Sequence, residues 1–158
     1  MVRTLVWDHL HGYPQPTPLR DVDVVYFDAS DLSSGRLWER EHVLTQRLYE
    51  KQPDFPWEVK NQAGIHLWFE QHFGYAVEPV CSLEEAVATW PEPATAVALL
   101  GNDNDNAELQ CLAPLGLEDL FAMIIRRNPR RVSIETYQQR IAQKRYTEKW
   151  PRVRVISE

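Results

Sequence analysis

The sequence predicts an α+β fold, and three observations carry that expectation. Val24 to Phe27 is a β-branched and aromatic run of the kind that builds a buried strand. Phe55 to Lys60 reads as a second short strand, with Trp57 and Val59 facing one way and Glu58 and Lys60 the other. Residues 2–11 and 33–51 instead repeat apolar side chains at a helical period.

Taken in order, the first helix uses Val2, Leu5, Val6 and Leu10, and Gly12 can supply its left-handed cap. Pro14, Pro16 and Pro18 forbid regular structure and deliver the chain, extended, into a strand over residues 21–27. The helix at 33–51 should bury Leu37, Val43, Leu44 and Leu48. After the second strand, Asn61 caps a helix that runs to Phe73, with Ile65, Leu67, Trp68 and Phe69 inward, and Gly74 stops it. Ser82-Leu-Glu-Glu85 is a capping box for a short helix through Thr89. Two β-rich runs, 95–100 and 108–112, flank an Asn- and Asp-rich turn at 101–106 and predict a hairpin. A core-facing helix at 117–125 and a basic helix from Ser133 to about Lys149 complete the chain.

At 158 residues the chain is long enough for one domain with a real core, so a single domain over 1–158 is expected. Its 44% apolar and 25% charged residues are ordinary for a soluble globular protein. No run of about 18 apolar residues occurs, which excludes a helical membrane span. Arg3 is followed by Trp7, Asp8 and His9 rather than an apolar core, so no signal peptide is read. Cys81 and Cys111 lie in unrelated apolar settings and are expected to be buried, unpaired thiols in a reducing cytoplasm.

Charge is uneven. Residues 126–158 hold ten basic and three acidic side chains, against seven basic and twenty acidic in the rest. Such an end can contact polyphosphate or nucleic acid; it can equally neutralise the acidic body or form one solvated helix face.

The stretch with most chemical content is Asp21-Val-Asp23, which opens the first strand. Residues two apart in a strand share a face, so the two carboxylates stand side by side. Paired carboxylates of this kind suit Mg²⁺, a hard cation with oxygen ligands. Should the second strand lie beside the first, Glu58 becomes a third. The same residues also fit a strand whose acidic groups are merely solvated. His9 and His11 do not share a helix face, and His66 with Glu70 is a lone pair, so neither reads as a zinc site. The sequence has no Gly-x-Ser-x-Gly elbow, P-loop, Rossmann glycine pattern or Cys-x-x-Cys motif. Its six Trp and six Tyr lack the interleaved basic pattern of a nucleic-acid stacking platform.

One ordered series of motifs is more specific than any single one. It runs Arg3-Thr-Leu-Val-Trp-Asp-His-Leu-His-Gly12, Asp21-Val-Asp23-Val-Val-Tyr-Phe-Asp28, Pro56-Trp-Glu58-Val-Lys-Asn-Gln62, Ala88-Thr-Trp-Pro-Glu-Pro-Ala-Thr-Ala-Val97 and Ala113-Pro-Leu-Gly-Leu-Glu-Asp-Leu-Phe121. Over essentially the whole chain this resembles a bacterial nucleotidyltransferase-like family of the DNA polymerase beta-like superfamily. The resemblance implies a small mixed β-sheet flanked by helices, with the first strand of that fold missing here. It implies metal-dependent transfer of a nucleoside monophosphate from a nucleoside triphosphate to an acceptor, which could be a small molecule, a protein or RNA. Asp21, Asp23 and Glu58 would be the catalytic residues and the ligands of two Mg²⁺ ions, and Arg3 and Lys60 would contact phosphates. A catalytically silent nucleotide- or RNA-binding protein that keeps the fold is the alternative.

Overall fold

The computed structural model describes residues 1–101 and 109–157. Two compact units emerge, one from Pro18–Ala86 with Met1, the other from Val2–Thr17 with Val87–Glu158. The chain opens with α1 (Val2–His11), which belongs to the second unit.

In the first unit, β1 (Val22–Tyr26), α2 (Ser34–Lys51) and β2 (Trp57–Asn61) follow one another, and the two strands pair in parallel. Parallel neighbours need a crossover long enough to return the chain to the same end, and α2 is that crossover. The register sets Val22 beside Trp57, Val24 beside Val59 and Tyr26 beside Asn61, which makes one face largely apolar, with Val22 and Val59 buried. The other face carries Asp23 beside Glu58 and Val25 beside Lys60. Among the described residues no strand pairs with the other edge of β1.

No residue of α2 is fully buried; its inner stripe is Leu37, Glu41, Leu44 and Leu48, each half-buried. The expected burial of Val43 is wrong, because Val43 lies about 100° round the helix from Leu44 and is exposed. Leu37 packs on Gly64 so closely that a Cβ there would sit 3.0 Å from a Leu37 methyl.

Asn61 caps, as expected, but what it caps is a 3₁₀ turn (Gln62–Gly64), its side chain accepting from the Ala63 N–H at 3.2 Å. Helix α3 (His66–Phe73) follows and ends on Gly74 with φ +80. Only Phe69 is buried on α3; Leu67 and Trp68 are 55% and 42% exposed, against expectation. The aromatic rings here meet along the helix and just beyond it, Phe69 against Phe73 at 4.4 Å and against Tyr75 at 5.3 Å. Helix α4 (Leu83–Val87) has its capping box: the Glu85 N–H donates to Ser82 Oγ at 3.0 Å and the Glu85 carboxylate accepts from the Cys81 N–H at 2.8 Å. Cys81 is free but exposed, since it lies in the turn before that helix rather than under it.

In the second unit α1 keeps the boundaries read from its period, and Gly12 closes it with φ +67. The core gathers Trp7, Leu120, Ile125, Tyr137, Tyr146 and Trp150, all at most 2% exposed, from segments far apart in sequence. Trp7 meets Trp150 edge-on at 5.3 Å and Tyr146 at 6.0 Å, the favoured aromatic geometry. Strands β3 (Ala98–Leu100) and β4 (Gln110–Leu112) pair antiparallel, as the hairpin reading requires. The turn expected at 101–106 lies, apart from Gly101, outside the described residues. Cys111 sits opposite Leu99 on a two-stranded sheet and both are exposed, so this thiol too is free but not buried.

The helix expected at 117–125 is shorter. Helix α5 (Glu118–Phe121) stops before Met123, which takes φ +53, and β5 (Ile124–Ile125) pairs in parallel with β6 (Arg154–Val155). The basic helix begins at Ser133, whose Oγ accepts from the Thr136 N–H, but it breaks at Arg145 with φ +49. Two helices result, α6 (Ile134–Lys144) and α7 (Tyr146–Lys149). Part of the basic charge is paired within this unit: Arg126 with Asp119 at 2.7 Å and Arg140 with Glu92 at 2.6 Å. Among the described residues no helix is long and apolar enough to cross a membrane.

Candidate active site

The site builds up from β1 and β2. Their register places Asp23 opposite Glu58. The strand begins at Val22 rather than at residue 21, so Asp21 stands just outside the pairing and its side is not set by strand alternation. Glu58 is 53% exposed, so its carboxylate is open to solvent at the sheet surface. In a sheet, like charges directly opposite each other are destabilising, so stability alone does not account for this pair.

Lys60 follows on the same face. Its ammonium lies 3.3 Å from Glu41 Oε2 and 4.0 Å from Glu58 Oε1, so it partly balances the acidic face. Glu41, on the inner stripe of α2, also accepts from the Asn61 N–H at 2.9 Å, which ties the crossover helix to the end of β2. A charged residue on an otherwise apolar helical stripe is the one sequence signal that could have marked Glu41. Asn61 then joins the strand ends: its Oδ1 accepts from the Asp28 N–H at 3.1 Å and its Nδ2 donates to the Asp28 carbonyl at 2.7 Å. Asp28 in turn accepts from Ser30 and pairs with Arg40; these hold its carboxyl below the usual range, the Ser30 hydrogen bond most. Burial, and next the Glu41 charge, push the Tyr26 phenol upward.

The donor set of Asp21, Asp23 and Glu58 is made of carboxylate oxygens, the chemistry a Mg²⁺ ion takes. In the described residues no three His, Cys, Asp or Glu side chains stand together as a group ready to hold an ion. The register brings Asp23 and Glu58 to one face, while the three carboxylates are not gathered there as a group. A shallow groove of 220 Å³ adjoins, lined by α2 and β2 residues that include Glu58 and Lys60.

Arg3 belongs to the second unit. Its guanidinium lies 5.0 Å from the Tyr146 ring, 5.2 Å from Trp150 and 5.4 Å from Trp7, a cation held by three aromatic faces. Sequence reasoning gave no role to Asp8 or Glu92, both buried here. Asp8 accepts from the Thr17 N–H, the Thr17 hydroxyl and Trp150 Nε1, each at 2.7 Å. Glu92 accepts from Arg140 Nε at 2.6 Å and from the Thr95 hydroxyl at 2.8 Å. Both are structural anchors of the aromatic core, since every partner lies within that unit.

Residues 1–155 match a family model described as a nucleotidyltransferase. A solved structure described as revealing a CCA-adding enzyme head domain is similar at a TM-score of 0.76 and 28% identity, over 99% of this chain and 78% of the other. No curated protein matches.

Proposed function

The chain belongs to this nucleotidyltransferase family, and on that premise we propose that it transfers a nucleoside monophosphate from a nucleoside triphosphate to an acceptor hydroxyl. The observation that carries the reading is the in-register pair Asp23 and Glu58 on one face of a parallel strand pair. Asp21, Asp23 and Glu58 would hold Mg²⁺. Bound there, the metal would neutralise triphosphate charge and polarise the α-phosphate toward attack.

The residues of the chain do the positioning. Asn61 and Glu41 tie the C-terminal ends of the two strands and the crossover helix together. Lys60, whose ammonium lies 3.3 Å from Glu41 on the crossover helix and 4.0 Å from Glu58 on the carboxylate face, is proposed as a phosphate contact. Arg3 lies in the other unit among three aromatic rings, and its proposed role as a phosphate contact rests on the family resemblance alone. The acceptor hydroxyl would give its proton to solvent as its oxygen bonds to the α-phosphorus, the bond from the α-phosphorus to the bridging oxygen would break, and pyrophosphate would leave with that oxygen. Catalysis of this type is mostly positioning and charge neutralisation, which is what a rigid strand pair supplies. The neighbour described as a CCA-adding enzyme head domain supports transfer of nucleotides as the chemistry.

Incubation with α-phosphate-labelled nucleoside triphosphates and a pool of cellular RNA, protein and small molecules tests this. Label should move to an acceptor with the unaltered protein and Mg²⁺, and not with D23N or E58Q. Nucleotide binding without any label transfer from that pool would leave a silent binding protein instead.

A further inference from the structure

Trp38 is 68% exposed, which is unusual for the largest apolar side chain. It is not disordered against solvent: its ring stacks on His42, one turn along α2, with centroids 5.0 Å apart and planes only 6° from parallel. The stack lines the 220 Å³ groove together with Glu41, Trp57, Glu58 and Lys60. The Trp57 indole N–H is already satisfied by the Gln52 carbonyl at 2.8 Å, and Glu41 by Lys60 and Asn61. What the groove leaves open is thus a flat aromatic surface on one wall and, through Glu58, the carboxylate face.

We infer that the Trp38–His42 stack is a platform for the nucleobase of the nucleoside triphosphate, with the sugar and phosphates directed along the groove toward Glu58. The inference rests on the transfer reading for the identity of the ring. Its volume is below the roughly 300–1,000 Å³ of sites that enclose a whole drug-sized ligand, so the groove takes one ring system and leaves the rest outside. Stacking on an aromatic face raises affinity by about tenfold or more per base and is tolerant of base identity, because every base has a π-face. Thr45, Trp57 and Glu41 are already paired, so base preference should follow ring area more than edge contacts, and purines should bind better than pyrimidines.

Adenosine, which carries no phosphate, tests the platform alone, and magnesium tripolyphosphate tests the carboxylate face alone. In ¹⁵N spectra adenosine should shift the Trp38 indole N–H, identified by its absence in W38F. W38A should abolish adenosine binding and weaken Mg-ATP binding about tenfold, with tripolyphosphate affinity unchanged; W38F should keep most of both. Unchanged adenosine and ATP affinity in W38A overturns the platform, and so does an equal loss of tripolyphosphate. A D23N/E58Q double variant should lose tripolyphosphate and keep adenosine. Tripolyphosphate binding that survives in that variant would count against the transfer reading while leaving the platform standing.

Discussion

Glu58 stands opposite Asp23 across the β1–β2 pair, and its nearest cation, the Lys60 ammonium, is 4.0 Å away. Removing the Glu58 charge without removing its bulk therefore separates function from stability. E58Q should lower transfer by at least about 10²-fold, the scale of losing one charge-stabilising group at a reacting centre. Urea unfolding should show E58Q unchanged or more stable by about 0.2–1 kcal/mol, the range of a relieved cross-strand repulsion. Loss of stability in step with activity would make Glu58 a structural residue.

Magnesium should stabilise the fold, because an ion that binds only the folded chain shifts unfolding by mass action. At a hundred times its dissociation constant the gain is about 2.7 kcal/mol, and a chelator should reverse it. Melting curves with and without Mg²⁺ should coincide for D23N and for E58Q. A rise in melting temperature that persists in both variants would place the ion elsewhere.

In the second unit, Glu92 is fully buried and Arg140 is 28% exposed. E92A strands a largely buried guanidinium, and breaking a buried pair in this way costs about 3–5 kcal/mol, readable in urea unfolding. Burial, and after it the Glu92 charge, raise the Tyr146 phenol above the usual tyrosine range. E92Q should accordingly bring the Tyr146 titration down only part of the way, followed by NMR of ¹³C-labelled tyrosine. A complete return to the ordinary tyrosine value would mean that burial is not the main cause.

Asp28 gives a pH signature. Its carboxyl is held below 3.8 in the folded chain by Ser30 and Arg40, so its contribution to stability is fully present above the unfolded value of about 3.8 and lost as pH falls through the lower folded one. The unaltered protein should be more stable than D28N at pH about 6 and lose that advantage as the solution is acidified below pH about 4. Urea midpoints measured across that range decide it; a pH-independent difference would mean the ionised carboxylate is not what stabilises the loop.

How far the sequence reached depended on the range of the interactions involved. Helix α1 from Val2 to His11, the β1 and β2 strands, the Ser82 and Ser133 caps and the glycine stops at Gly12 and Gly74 were all legible. Each rests on period, capping or backbone freedom within a few residues, which a linear reading contains. The face shared by Asp23 and Glu58 was legible as a condition, since alternation fixes the side of each once the strands are neighbours; the pairing itself is tertiary. What the sequence could not rank was burial. Leu67, Trp68, Cys81 and Cys111 are as apolar as the true core but lie outside it, while Trp7, Tyr146 and Trp150, from segments more than a hundred residues apart, seal one another. The two-residue strands β5 and β6 and the positive φ of Met123 and Arg145 carry no local signal, because non-glycine residues accept that backbone only where surrounding contacts impose it. Glu41, Glu92 and the Trp38–His42 stack belong to the same class. A side chain's type is written in the sequence, but whether it meets a partner, a core or water is decided only when distant segments pack.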